Sequence, residues 1–263
     1  MGLPDVYPGE DNLAIAEDIK SLPKVLAKLA KNWDVRVRDR VAGNPNTTPK
    51  ILSFLAKDKD KRVRERIAEN PNTKPQTLKV LSRDLDMEVR RRVVYNPNNK
   101  RSTLAAMAKD SDIGVRWKVA KNVHTPPTAL RILSKDKQAG VLEYVASNPN
   151  SPCDILNFLA KVGNESVRTR VAQNPNTPPS ALALLSLDRV NAIRWDVASN
   201  YKTPEEVLFK LAQDKHVLVR SIILRQPNIS DRILYLLTKD PDEIIQKRAE
   251  ESYRKRIGEE IKL

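Results

Sequence analysis

Cysteine, glycine, histidine and aromatic residues are all scarce in this sequence. Its 263 residues include one cysteine, Cys153, two histidines, seven glycines and 5% aromatic residues. One cysteine excludes an internal disulfide and any metal site built from several thiolates. The glycines are scattered, which excludes a glycine-rich phosphate loop. Neither catalysis at a metal centre nor a nucleotide-hydrolysing motif is therefore indicated.

Long apolar runs are missing as well. No stretch approaches the roughly 18 apolar residues that cross a membrane. The opening MGLPDVYPGEDN has neither a basic segment nor a hydrophobic signal region. We therefore expect a cytoplasmic protein with no membrane segment.

The charge is strongly unbalanced. Lysine and arginine number 47 against 33 aspartates and glutamates, which gives a net charge of +14 and a sequence pI near 9.8. Such a surplus favours acidic partners, either nucleic acid or acidic proteins, and does not determine the fold.

One short motif, Asn-Pro-Asn, recurs at a fixed interval. Asn70 lies 26 residues after Asn44, and the same interval continues along the chain. A fixed period of this size predicts a stacked array of repeats. The tripeptide begins at Asn44, Asn70, Asn96, Asn148 and Asn174, and Asn122, Asn200 and Gln226 occupy the equivalent position elsewhere.

Each 26-residue repeat contains two helical patterns. The leucine helix has the pattern PxxLxxLA, and the valine helix has the pattern VRxRVAxN, with apolar residues three or four positions apart. We expect Asp34, Asp60, Asp86 and Asp112 to cap the valine helices, and the asparagine to end them in a left-handed conformation. We expect the leucine helices to be capped by Thr47, Thr73, Thr125, Ser151, Thr177 and Thr203, with a capping box from Thr203 to Glu206.

These patterns predict an all-α, right-handed superhelical solenoid of about eight 26-residue, two-helix repeats. Residues 1–20 form an N-terminal cap, residues 21–240 the repeat array, and residues 241–263 a C-terminal capping helix. We expect one structural domain and a monomer, since terminal caps hide the open ends of such arrays.

The unit resembles a known repeat. The consensus VRxxVAxNPNTPPxxLxxLAxD, nearly complete in residues 167–188, is similar to the leucine-rich repeat variant family. That resemblance implies alternating α- and 3₁₀-helices in a right-handed superhelix, and no shared activity. One family member carries an iron–sulfur module on N-terminal cysteines. No cysteine precedes Cys153 here, so we expect no iron–sulfur cluster and no other cofactor.

In most valine helices an arginine follows the first valine, and an aspartate lies six residues before that arginine. Hydrogen bonds between these residues would join neighbouring units. The arginines are Arg38, Arg64, Arg90, Arg116, Arg168, Arg194 and Arg220, and the aspartates are Asp58, Asp84, Asp110, Asp136, Asp188 and Asp214.

A second series, which we call the basic rail, follows the end of each leucine helix. A cation at a helix C-terminus is favoured by the helix dipole alone. At roughly 8–10 Å per unit, however, six cations would form a line about 50 Å long that suits a phosphate backbone. The rail consists of Lys31, Lys57, Arg83, Lys109, Lys135 and Lys161.

A third group, the aromatic face, lies on the outward side of the valine helices. Exposed aromatic residues among cations suit a peptide or a nucleic acid, whereas partial burial against a neighbouring unit is the structural alternative. The group contains Tyr95, Trp117, Tyr144 and Trp195 together with Arg91, Arg92, Lys118, Lys121 and Arg170.

The sequence favours a non-enzymatic scaffold whose basic, aromatic-containing surface engages an acidic protein. Nucleic-acid binding is the alternative. A remote alternative is a helical-repeat DNA glycosylase, because such enzymes hold a base between tryptophans, as Trp117 and Trp195 could. Three units would separate that pair by roughly 25–30 Å, and Lys121 occupies the turn after Trp117 where a carboxylate is needed.

Overall fold

The computed structural model describes residues 11–227 and 229–258. Within them the chain forms nineteen helices and no strand. All nineteen are α-helices, so the alternation with 3₁₀-helices that the resemblance implies is wrong for these residues. The chain divides into two compact units, each of which contains several repeats. The first unit is Met1–Ala129 and the second unit is Leu130–Leu263. The helices are α1 (Asn12–Glu17), α2 (Pro23–Leu29), α3 (Val35–Gly43), α4 (Pro49–Leu55), α5 (Lys61–Glu69), α6 (Pro75–Leu81), α7 (Met87–Val93), α8 (Arg101–Met107), α9 (Ile113–Lys121), α10 (Pro127–Leu133), α11 (Ala139–Ser147), α12 (Cys153–Val162), α13 (Glu165–Gln173), α14 (Pro179–Leu185), α15 (Asn191–Ser199), α16 (Glu205–Leu211), α17 (Val217–Ile223), α18 (Asp231–Leu237) and α19 (Glu243–Ile257).

The predicted apolar series form the core. Leu52 and Leu55 of leucine helix α4 and Val63 and Ile67 of valine helix α5 are all buried. Their counterparts in the other repeats are buried as well. The all-α helical-repeat solenoid predicted from the period is confirmed.

The two kinds of helix are packed differently in the first unit. In the first unit the valine helices α3, α5 and α7 contact one another in succession, and α1 packs on α3. The leucine helices α2, α4, α6 and α8 mainly contact the valine helices before and after them in the chain. Neighbouring leucine helices are therefore farther apart, and their ends remain open to solvent.

The asparagine of each turn joins consecutive repeats. Asn70 has an extended backbone (φ −64°, ψ 126°), so the predicted left-handed conformation is wrong. Its buried Nδ2 donates to the carbonyl oxygens of Ala42 at 2.7 Å and Asn44 at 3.3 Å in the preceding repeat. The carbonyl of Asn44 also accepts from the N–H of Thr47 at 3.0 Å. The carbonyl of Ala42 lies at a helix end, where carbonyls lack donors from their own helix, and the next repeat supplies a donor. Equivalent bonds come from Asn44, Asn96, Asn174, Asn200 and Gln226.

The turn threonines also satisfy carbonyls of a valine helix. Thr73 is fully buried, and its Oγ1 donates to the carbonyl of Ile67 at 2.7 Å. Helix α6 is capped by Lys74 without a side-chain bond. The predicted threonine N-caps are therefore wrong, and so is the capping box, because Pro204 precedes α16. The other hydroxyls that donate in this way belong to Thr47, Thr125, Ser151, Thr177 and Thr203.

The aspartate caps of the valine helices are confirmed. The carboxylate of Asp60 accepts from the backbone N–H of Arg62 at 2.8 Å. The hydrogen bond from the Arg62 side chain lowers the pKa of Asp60 to about 2. The side chains of Asp34, Asp86 and Asp112 cap α3, α7 and α9.

The arginine series joins repeats through a side chain and a backbone together. The guanidinium of Arg64 donates to both carboxylate oxygens of Asp84, at 2.7 and 2.9 Å. Its Nη1 donates to the carbonyl of Asp58, the residue six positions earlier, at 2.8 Å. The carboxylate that pairs with Arg64 therefore lies 20 residues later in the chain, whereas the aspartate six residues earlier contributes its backbone carbonyl. Matching pairs link Arg38 to Asp58, Arg90 to Asp110, Arg168 to Asp188, Arg194 to Asp214 and Arg220 to Asp240.

Both predicted caps contain a helix. Helix α1 packs on α3 and buries Ala16, and α19 packs on α18 and buries Ile245 and Ala249. Residues 1–10 of the N-terminal cap and 259–263 of the C-terminal cap lie outside the described residues. The boundaries 1–20, 21–240 and 241–263 stay predictions.

Candidate binding surface

Four rail residues lie in the first unit: Lys31, Lys57, Arg83 and Lys109. Each follows the C-cap residue of a leucine helix and is exposed. In the described part of the chain none of them forms an ion pair. Their ammonium or guanidinium groups are therefore available to a partner.

Three of these cations, Lys57, Arg83 and Lys109, are followed by an aspartate that is turned inward. The carboxylates of Asp58, Asp84 and Asp110 are paired with Arg38, Arg64 and Arg90, and their side chains are buried. Because these acids are neutralised inside the repeat, the charge presented outward at the ends of the leucine helices is positive.

The remaining rail residues lie in the second unit. Lys135 and Lys161 are also exposed. The backbone N–H of Lys135 donates to the carbonyl of Ile132 at 3.3 Å. Lys161 belongs to the last turn of α12. The single 50 Å line stays a prediction.

Apolar side chains stand beside the cations of the first unit. The N–H of Lys57 donates to the carbonyl of Phe54 at 3.3 Å, and the N–H of Arg83 donates to that of Val80 at 3.0 Å. Phe54 is 55% exposed and Val80 is 60% exposed. Each of these rail cations is therefore next to an exposed apolar residue of the same helix end.

The loops that follow the leucine helices add further groups, which the sequence analysis missed. Trp33, Lys59 and Leu85 each lie two residues after a rail cation. Trp33 is 82% exposed and Leu85 is 99% exposed. We call residues 31–33, 57–59, 83–85 and 109–111, with Phe54 and Val80, the rail edge.

An open cavity of about 750 Å³ lies at one end of the rail edge. The aromatic rings of Trp33 and Phe54 line it, and so do Lys31, Lys57 and Lys59. It forms where the ends of α2 and α4 lie apart, so the spacing of the leucine helices accounts for it. We call this cavity the anchor pocket.

The aromatic face of the first unit is partly engaged by its own cations. The ammonium of Lys118 lies 5.2 Å from the ring centre of Tyr95, and that of Lys121 lies 5.3 Å from that of Trp117. Tyr95 is exposed and Trp117 is half-buried. Cation–π contacts of this kind hold both lysines over their rings.

Arg91 and Arg92, the other two cations of that face, are in ion pairs. Arg91 donates to both oxygens of Asp112, at 2.9 and 3.1 Å, and to Glu88. It passes so close to Gly114 that a Cβ there would lie 2.4 Å from its Nη2. Arg92 donates to Glu65 at 2.9 Å and to Glu69. These guanidinium groups are therefore held by carboxylates of their own helix and of its neighbours.

The aromatic face of the second unit contains Tyr144, Arg170 and Trp195. Tyr144 is half-buried, and Arg170 is exposed and donates to the side-chain oxygen of Gln173 at 3.2 Å. Trp195 is 38% exposed and lines a cavity of about 410 Å³ with residues that include Arg225 and Arg248.

Asp196, beside Trp195, is the acidic group of this face. Its carboxylate accepts from Nε2 of Gln173 at 3.2 and 3.3 Å. Burial raises the pKa of Asp196, against the opposing effects of Gln173 and Arg170. The glycosylase hypothesis, which needs a carboxylate beside a tryptophan pair, stays a prediction.

The described residues contain neither a metal-binding cluster nor a membrane-spanning helix. Residues 11–227 and 229–258 contain no group of His, Cys, Asp and Glu side chains arranged to hold a metal ion. No helix in the same ranges combines the length and the apolar character that spanning a membrane requires.

Comparison with known proteins identifies the fold. No protein-family model matches the sequence, and no curated protein does. A solved leucine-rich repeat variant is 25% identical over 84% of this chain and 87% of that chain, with a TM-score of 0.60. The chain is therefore a helical-repeat protein similar to that leucine-rich repeat variant, as its consensus predicts.

Two further solved structures match with lower scores. An engineered protein is 16% identical over 94% of this chain and 93% of its own, with a TM-score of 0.41. A HEAT-like repeats protein from Thermococcus onnurineus NA1 is 14% identical over 92% of this chain and 90% of its own, with a TM-score of 0.23. Scores of this size do not establish a common fold, so the leucine-rich repeat variant alone carries the assignment.

Proposed function

We propose that this protein is a non-enzymatic binding scaffold and that the rail edge of its first unit binds an acidic protein partner. The partner would present an amphipathic segment in which carboxylates alternate with apolar side chains. The observation that carries this proposal is that Lys31, Lys57, Arg83 and Lys109 are exposed and form no ion pair within residues 11–227 and 229–258.

Charge complementarity supports an acidic partner. The nearest carboxylates, Asp58, Asp84 and Asp110, are already neutralised by arginines. A partner carboxylate that approaches the rail edge meets cations without competition from the protein's own acids. Exposed pairs of this kind contribute about 0.2–1 kcal/mol each and mainly speed association.

The apolar neighbours favour protein over nucleic acid. Val80 and Leu85 are aliphatic and largely exposed beside Arg83. Aliphatic side chains pack against apolar side chains of a peptide, whereas binding of single-stranded nucleic acid relies on aromatic rings that stack on bases. Aligned cations alone would suit a phosphate backbone equally well, so the aliphatic groups make the distinction.

Two triple variants test the proposal at equal net charge. Lys57→Glu, Arg83→Glu and Lys109→Glu reverse the rail. Lys50→Glu, Lys74→Glu and Lys100→Glu reverse three exposed cations at the opposite ends of the same leucine helices.

The probe is a fluorescent peptide of about 15 residues, long enough when extended to cross four repeats at roughly 8–10 Å each. It consists of glutamate and serine with leucine at every third or fourth position. We expect the rail variant to weaken binding roughly 10- to 100-fold, from three lost attractions and three new repulsions. The control variant should bind within a few-fold of the parent protein.

Three outcomes would overturn the proposal. The peptide could fail to bind the parent protein at low salt. The two variants could lose affinity equally, which would indicate a general charge effect. An oligothymidylate of matched charge could bind more tightly and with a steeper salt dependence, which would establish the nucleic-acid alternative instead.

A further inference from the structure

The anchor pocket differs from the rest of the rail edge in being aromatic. Trp33 and Phe54 are its two rings, and both are largely exposed although they are among the few aromatic residues of the chain. The equivalent helix positions in the next two repeats are Val80 and Ala106, and the equivalent loop positions are Lys59 and Leu85. The rail edge of the first unit therefore offers an aromatic cavity at one place only.

The loop that carries Trp33 is held by hydrogen bonds. The carbonyl of Trp33 accepts from Nη1 of Arg38 at 2.9 Å, and the same nitrogen donates to the carbonyl of Asn32. The side chain of Asn32 accepts from the N–H of Asp34 at 2.8 Å. Arg38 is itself fixed by Asp58. The backbone beneath the exposed indole is thus held in place before any ligand arrives, which lowers the entropy lost on binding.

Three ammonium groups surround this aromatic cavity. Lys31, Lys57 and Lys59 line it, are exposed, and form no ion pair within the described ranges. The one carboxylate in its lining, Asp58, is paired with Arg38. The lining therefore combines two aromatic side chains with three lysines that form no ion pair within the described ranges.

We propose that the anchor pocket receives one aromatic side chain of the acidic partner segment, between Trp33 and Phe54, while carboxylates on either side of that residue pair with Lys31, Lys57 and Lys59. This inference rests on the proposed function and adds the residue that sets the register of the segment along the rail. A volume of about 750 Å³ is within the usual range of a ligand pocket. Aromatic rings pack against each other in offset or edge-to-face geometry, and such contacts dominate many interfaces.

The aromatic occupant is favoured over a nucleobase by the neighbouring repeats. A single strand would be expected to stack base after base along the rail. Beyond Trp33 and Phe54, however, the equivalent positions hold Val80, Leu85 and Ser111. One ring site followed by aliphatic and basic positions suits a peptide with a single aromatic anchor.

The test uses two peptides and a single-tryptophan protein. Both peptides consist of glutamate and serine and differ only in a central phenylalanine or alanine. The full-length protein carries Trp117→Phe and Trp195→Phe, so that the fluorescence of Trp33 alone is observed. We expect the phenylalanine peptide to bind at least about 10-fold more tightly and to protect Trp33 from acrylamide quenching.

Two variants locate the effect. With the three native tryptophans restored, binding is followed through a dye on the peptide. Trp33→Ala should remove the difference between the peptides, and because this side chain is mostly in solvent the circular dichroism and melting temperature should not change. Leu85→Ala, at the equivalent loop position two repeats later, should leave the difference intact.

Each remaining outcome overturns the anchor proposal. Equal affinity of the two peptides, or a difference that survives Trp33→Ala, would mean that no aromatic residue enters this pocket. Displacement of the phenylalanine peptide by an oligothymidylate that protects Trp33 more strongly would mean that the pocket accepts bases. If both peptides bind equally and the rail reversal still abolishes binding, the anchor fails while the proposed function stands.

Discussion

Asn70→Ala tests the repeat architecture most sharply. The substitution removes the bonds from Nδ2 to the carbonyls of Ala42 and Asn44, and the bond that Oδ1 accepts from the N–H of Asn72. A net hydrogen bond contributes about 0.5–1.5 kcal/mol, and a buried carbonyl left unsatisfied costs about 1–3 kcal/mol. Water replaces the partner that the N–H of the exposed Asn72 loses, whereas the carbonyl that loses its donor at Ala42 belongs to a fully buried residue. We therefore expect a loss of roughly 2–4 kcal/mol.

The matched control is Asn72→Ala, two residues away in the same turn. Nδ2 of Asn72 donates to the carbonyl of Pro45, an exposed residue, at 2.5 Å, and only weakly, at 3.5 Å, to the carbonyl of Thr47. Water compensates there, and the expected loss is below about 1 kcal/mol. Asn70→Gln should recover part of the stability, because Gln226 makes the equivalent bonds to Ala198 and Asn200.

Urea denaturation followed by circular dichroism measures these differences. A shift of the midpoint at constant slope reports stability, whereas a change of slope would show that part of the array unfolds separately. If Asn70→Ala cost no more than Asn72→Ala, the side-chain bonds between repeats would not hold the array together, and the reasoning would be refuted.

Three smaller predictions concern single groups. Thr73→Val should lower stability by about 0.5–1.5 kcal/mol, the net value of one hydrogen bond, because the carbonyl of Ile67 loses the hydroxyl and keeps only the N–H of Asn70, at 3.2 Å. Thr73→Ser is the control, and equal melting of all three proteins would contradict this. The pKa of Asp60 is lowered, so its stabilising effect is complete above the ordinary value of 3.8 and is lost as the pH falls through about 2. Asp60→Asn keeps a side chain that can cap the helix but does not titrate. The difference in melting temperature between the parent protein and this variant should therefore shrink as the pH falls from 3.8 to about 2. In the single-tryptophan protein, iodide should quench Trp33 more strongly than caesium because three lysines surround it; equal quenching would mean that their charge is compensated.

The architecture could be predicted from the sequence because one pattern is repeated many times. Leu52 and Val63, for example, occupy positions that are apolar in all of the repeats. Because the same positions are apolar in successive repeats, the repeats together predict the helices more reliably than the sequence of any one helix does. The aspartate caps were predictable for the same reason, since Asp60 acts on its own helix through a local bond.

The turns were predicted wrongly because their partners lie outside the local sequence. Asn70 and Thr73 have strong local preferences for helix ends and N-caps. In the structure Asn70 bonds to a carbonyl 28 residues earlier, and Thr73 to one six residues earlier. Bonds that satisfy buried carbonyls of a stacked helix outweigh the local preferences, and the register of the stack is needed to foresee them.

The candidate site was predictable only in part. The exposure of Lys57 and Arg83 followed from their position after the helix end. The ion pairs of Arg92 with Glu65 and Glu69 depend on which residues meet across α5 and α7, and helical phase within one repeat does not give that. Trp33 was missed because it lies in a loop; comparison of loop positions 33, 59, 85 and 111 would have revealed it as an exception.

Lysine footprinting tests the central claim, that the rail edge of the first unit is the binding surface. The parent protein is acetylated at limiting reagent with and without the leucine-containing acidic peptide, and the reactivity of each lysine is read by mass spectrometry. We predict that Lys57 and Lys109 react several-fold more slowly in the complex, while Lys50, Lys74 and Lys100, at the other ends of the same helices, react as before. Protection of the second group, or none of the first, would contradict the account.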